Sequence, residues 1–118
     1  MEALKWYKIA ADNGNAKAQY YMAFMYQNGE GTDKNDTEAA RLFRISAEQG
    51  LSWSQGQIAY KYQRGQGVPQ NCDEAVRWYK LAADQGEHWS QYNLGTLYEN
   101  GECVKVDYSE ALRLYKLA

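Results

Sequence analysis

The side chains with the most orderly chemistry in this sequence are its cations. Lys5, Arg41, Arg77 and Arg113 recur at steps of 36 residues, and Lys8, Arg44, Lys80 and Lys116 repeat that step three positions on. These eight are most of the thirteen Lys and Arg residues. Two parallel columns of fixed positive charge attract carboxylates, on a bound peptide or on the protein itself. Glu2, Glu38, Glu74 and Glu110 precede the first column by three residues, and Asp12, Glu48 and Asp84 follow the second by four. Pairs at these spacings stabilise a helix by only ~0.2–0.5 kcal/mol each. One reading is therefore a solvated face of local ion pairs. The other is a banded surface that docks an acidic or mixed-charge peptide. Ile9, Ile45, Leu81 and Leu117 lie on the same arc as the cations. They either offer such a peptide apolar contact or pack against a neighbouring helix.

Catalytic chemistry finds little to work with. The single histidine, His88, has no carboxylate or thiol set at a spacing that would make a triad, a metal site or an acid–base pair. There is no Ser-x-x-Lys and no HExxH. Cys72 and Cys103, 31 residues apart, form neither a CxxC pattern nor a disulfide framework, and two free thiols are expected. A net charge of −2 gives no overall nucleic-acid footprint. No apolar run approaches a membrane span, and the N-terminal residues have no apolar leader core, so no nucleic-acid or membrane partner is expected. As given, the chain reads as cytoplasmic, with a secreted or periplasmic location open if it is a fragment. No cofactor or metal is expected.

The elements that carry the cation columns repeat with the same period. Segments ALKWYKIAADNG, AARLFRISAEQG, AVRWYKLAADQG and ALRLYKLA begin at residues 3, 39, 75 and 111. In the first, Ala3, Trp6, Tyr7, Ala10 and Ala11 share one helical face. This predicts a helix A with Trp6, Trp78, Tyr7, Phe43, Tyr79 and Tyr115 in the core. Thr37, Asp73 and Ser109 are the expected N-caps of the later copies. Gly14, Gly50 and Gly86 stand where a left-handed C-terminal cap falls. A helix B follows in each unit, with Met22, Ile58 and Leu94 in one column, Tyr26, Tyr62 and Tyr98 in another, and the small residues Ala23, Ala59 and Gly95 in a third. Lys61 takes an apolar slot held by Met25 and Leu97, where its stem is expected along the core edge with its charge in water. Trp53 and Trp89 share a slot with Lys17, which must therefore reach solvent, so both are candidate contact residues.

A period in this range marks stacked repeats. The expected fold is all-α: three helix–turn–helix units, about 1–36, 37–72 and 73–108, and a last helix A at 109–118, in a single domain over 1–118. One unit cannot bury its apolar face alone, so the units stack into a solenoid. The last segment stops before the A-D/E-Q/N-G that ends other copies of helix A, and neither end has a polar capping unit. The chain is therefore expected to be part of a longer array, or to self-associate through its ends.

The motif A-x-x-W/L-Y/F-K/R-x-A-A-D/E-Q/N-G, followed by small-Q-x-x-hydrophobic-small-x-x-Tyr-x-x-Gly-x-Gly, resembles the Sel-one-like repeat over nearly the whole chain. That resemblance implies paired antiparallel helices in a right-handed superhelix related to tetratricopeptide repeats. It also implies a non-catalytic adaptor or scaffold that binds a protein or peptide. In the related tetratricopeptide folds helix A lines the concave side. The expected contact residues are thus Lys5, Lys8, Arg41, Arg44, Arg77, Lys80, Arg113 and Lys116, with Ile9, Ile45 and Leu81 beside them and Trp53 and Trp89 on helix B. Two alternatives remain open. Some secreted relatives are linked to cell-wall or β-lactam chemistry, which would suggest a hydrolase. The other is an architectural, self-associating repeat segment. The sequence departs from the pattern at Cys103, where the other units have Gly31 and Gly67, and at Ser46, where Ala10, Ala82 and Ala118 recur.

Overall fold

The computed structural model describes residues 2–118, with side chains from Leu4 onward. It contains seven helices among them: α1 (Glu2–Asp12), α2 (Ala16–Asn28), α3 (Asp36–Glu48), α4 (Ser52–Arg64), α5 (Cys72–Asp84), α6 (His88–Asn100) and α7 (Tyr108–Leu117). Odd-numbered helices are the copies of helix A and even-numbered ones the copies of helix B. Each packs chiefly against the helix before it and the helix after it, and the stack measures 47 × 25 × 19 Å. No described helix is long and apolar enough to cross a membrane.

The alanine and small-residue columns carry the stacking. Ala39, Ala75, Ala23 and Ala59 are fully buried, and Phe43, Ile58, Tyr79, Leu97 and Leu114 fill the spaces between them. At Gly95 a Cβ atom would lie 2.8 Å from the Tyr115 ring, so this position admits glycine because α7 lays an aromatic ring across it. Trp78 is buried as expected, but Trp6 is 65 % exposed. Its column mates sit on helices that pack against a preceding helix B as well as their own, whereas α1 packs against α2 alone. That missing neighbour leaves the Trp6 indole uncovered.

The helix starts differ from expectation by two residues. Asn35, Asn71 and Asp107 are the N-caps of α3, α5 and α7, accepting from the backbone N–H of Glu38, Glu74 and Glu110 at 3.0, 3.1 and 3.0 Å. They too recur every 36 residues; Thr37, Asp73 and Ser109 lie inside the first turn. Both columns hold good capping residue types, and only the extended backbone at Asn35, Asn71 and Asp107 separates them.

Polar residues tie one unit to the next. Gln19, Gln55 and Gln91, all buried, donate to the carbonyls of Ala11, Ala47 and Ala83 eight residues earlier. Gln49 then donates to Gln19 across units at 2.6 Å, and Gln85 to Gln55 at 2.7 Å. His88 Nδ1 stands 3.2 Å from Gln91 Oε1 at the end of this series. Ser46 bonds Ser54 and the Ala16 carbonyl, so the hydroxyl that interrupts the alanine column is satisfied.

Cys72 and Cys103 form a disulfide, correcting the expectation of two free thiols. The repeat geometry explains the bond. At Gly67 a Cβ would fall 2.1 Å from the Asp36 carbonyl oxygen, so this glycine column rests on the first residue of the preceding helix A. One unit later the same contact pairs Cys103 with Cys72, at a Cα separation of 5.0 Å. Cys103 keeps the left-handed backbone of that column, with φ 66°, alone among described non-glycine residues. Reduction should cost about 2–4 kcal/mol of stability. Under reducing conditions Cys103→Gly should unfold at higher denaturant than Cys103→Ser, by roughly 1 kcal/mol, because glycine adopts that φ without strain. Urea unfolding of the two variants checks this, and an equal midpoint would contradict it.

Candidate functional site

The eight cations of helix A are all exposed, and four arginines among them are engaged by their own helix. Arg41 grips Glu38 with two bonds of 2.7 Å, Arg77 bonds Glu74 at 2.7 Å, and Arg113 bonds Glu110 through Nε and Nη2. Hydrogen bonds from the guanidiniums hold the Glu38 and Glu110 carboxyls below their ordinary range. Arg44 lies 3.5 Å from Glu48 and donates to the Tyr62 hydroxyl at 2.7 Å. Ile9, Leu81 and Leu117 are exposed and Ile45 half-buried.

Two hollows lie along helix B instead. A groove of about 510 Å³ opens between α2 and α4, lined by Gln27, Gln57, Tyr60 and Lys61, with Asn28, Lys34, Asp36 and Gln66 at its rim and Trp89 of α6 at its side. A second hollow of about 210 Å³ adjoins it, lined by Tyr20, Trp53, Gln57, Glu87 and Trp89. The two share Gln57 and Trp89, so they adjoin, and this pair of hollows, the helix B channel, takes lining residues from all three units.

Aromatic pairs give the channel fixed walls. Trp53, 44 % exposed, tilts against Tyr20 at 5.7 Å between ring centroids; Trp89, 39 % exposed, tilts against Tyr60 at 5.6 Å and meets Tyr79 edge-on at 6.4 Å. The Lys17 ammonium stands 5.7 Å from the Trp53 ring, and the Arg64 guanidinium 5.3 Å from Tyr60. Half-exposed indoles braced by a second ring lose little freedom when another molecule covers them. The expected solvent contact of Trp53 and Trp89 is present, and their join into one channel with Tyr20 and Tyr60 is what the columns did not reveal.

Lys61 forms part of the floor. It is buried, not wet as expected, and its Nζ donates to Gln27 Oε1 beside the Phe43 ring. The lysine stands in the slot that Met25 and Leu97 hold in the other units. Burial lowers its pKa, with Asp36 opposing and Lys34 adding to the shift.

The Sel1 repeat model matches residues 1–15, 16–51, 54–87 and 90–118. The chain belongs to the Sel1 repeat family. Sel1 repeat proteins generally act as non-catalytic scaffolds for protein interaction. The fold is similar to the crystal structure of a protective antigen of uropathogenic Escherichia coli strains that displays an SLR fold, with TM-score 0.93 and 33 % identity over 96 % of this chain and 24 % of that one. It is also similar to a Sel1 repeat protein from Oxalobacter formigenes, with TM-score 0.89 and 34 % identity over 97 % of this chain and 47 % of that one. The chain thus spans less than half the length of either. No curated protein matches it.

Replacing Lys61 by methionine, the residue at the same position of the first Sel1 repeat, should preserve or raise stability, by up to about 2 kcal/mol, because a buried charge is removed. A lysine whose folded pKa lies below its unfolded value weakens the fold while protonated. Wild-type stability should therefore climb as pH rises from the lowered value toward 10.5, and Lys61→Met should lack that climb. Denaturant unfolding across that alkaline window measures both effects.

Proposed function

We propose that this Sel1 repeat segment is a non-catalytic binding module that holds a protein or peptide partner in the helix B channel. The observation that carries the reading is that the two hollows adjoin at Gln57 and Trp89 and are lined by residues of three repeats. Preformed recesses with rigid aromatic walls concentrate binding energy on a few side chains. The expected helix A face is the second reading. It keeps Lys5, Lys8, Lys80 and Lys116 exposed beside Ile9 and Leu81, but its arginines already have carboxylate partners. A partner's acid would have to displace a pair that is already formed. His88 is engaged with Gln91, which favours a structural role for it over a hydrolytic one.

The disulfide supports an oxidising compartment as the working location, in place of the cytoplasm. Thiol titration of the denatured, unreduced protein from its native host tests this, and two titratable thiols per chain would oppose it.

Peptides selected on the immobilised protein from a random display library test the channel. Trp53→Ala combined with Trp89→Ala should weaken the selected peptides by roughly tenfold or more. Reversing Arg41, Arg44, Arg77 and Lys80 to glutamate should leave them within about threefold, since exposed, paired charges contribute little. The opposite ranking would move the site to helix A.

A further inference from the structure

We propose that the Lys61 end of the channel is a subsite for the side-chain carboxylate of an aspartate or glutamate within an extended peptide. The inference rests on the channel reading and adds the chemistry that the channel selects. Lys61 is 3 % exposed, yet it lines the floor of the larger hollow. An ammonium carries three donors. Gln27 Oε1 takes one of them, and Lys61 makes no ion pair among the described residues. The surroundings do not neutralise it. Asp36 and Lys34, the other charged groups lining the same hollow, offset each other and leave one positive charge in excess.

Such a charge is costly to bury alone, and a carboxylate entering the hollow would both pair with it and satisfy a free donor. The columns show that the fold does not need the lysine, because Met25 and Leu97 fill the same slot in the other units. The occupant is a side chain within a peptide rather than a free anion for two reasons. The hollow, at about 510 Å³, far exceeds a carboxylate, and Gln57 and Gln66 in its lining carry amides that can pair with main-chain groups. It also adjoins, at Gln57 and Trp89, the second hollow lined by Trp53 and Tyr20, where the apolar neighbours of the acid would lie. At that second end Glu87 is committed to capping α6 through Ser90 and Trp89, which keeps the acid-binding role at the Lys61 end.

Frontal affinity chromatography on the intact chain tests this with two end-capped hexapeptide libraries. They are randomised over uncharged residues, with one fixed central residue: glutamate in one library, glutamine in the other. The wild-type protein should retain the glutamate library more strongly, by roughly tenfold. Lys61→Met, its fold verified by circular dichroism, should retain both libraries equally at the lower level. A glutamate preference that survives Lys61→Met would overturn the subsite, and so would equal retention of both libraries by the wild type. In that last case, loss of both libraries on Trp53→Ala with Trp89→Ala would leave the channel standing. Retention of neither library by the wild type would overturn channel and subsite together.

Discussion

Everything in this molecule depends on how closely one helix pair lies on the next. The approach is so tight that the facing positions admit only alanine or glycine: Ala23, Ala39, Ala59 and Ala75 have no exposed surface, and at Gly95 the neighbouring ring occupies the space of a Cβ. A single pair could not exclude water from those faces, so the stack gains its core only as neighbours accumulate. Dispersion contacts at this range are individually small and collectively large.

That close packing dictates where polar groups can go. A side chain caught between layers must find its partner in its own unit or an adjacent one, and Gln19 and Gln55 do so by a repeated pattern: each bonds a carbonyl of its own helix pair and a glutamine of the following unit. Ser46 follows the same rule. Lys61 follows it only in part, bonding Gln27 of the preceding unit while retaining an uncompensated charge. Met25 and Leu97 fill the same position in the other units without a charge, so this residue differs from the packing residues around it.

Helix A and helix B divide the surface between them. Along helix A the charges compensate locally, as the spacing of Glu38 to Arg41 and Glu74 to Arg77 already suggested. Along helix B, Tyr20, Tyr60, Trp53 and Trp89 are only partly covered by their neighbours, and their edges form the walls of a channel.

Much of this was legible in the residues themselves. The 36-residue step identifies which positions are equivalent, and helical periodicity within each step separates inner from outer faces; the seven helices, the alanine core and the solvent contact of Trp53 and Trp89 all follow. Contacts between units were not legible, because they do not occur at the period. Gln49 meets Gln19 at an offset of 30, Cys103 meets Cys72 at 31, and Lys61 meets Gln27 at 34. Those offsets are set by the angle and depth at which helices of successive units pack, which no column of equivalent residues encodes. For that reason the sequence by itself determined the repeat, its helices and its core. Only the tertiary structure decided the disulfide, the buried ammonium and the channel that this ammonium lines.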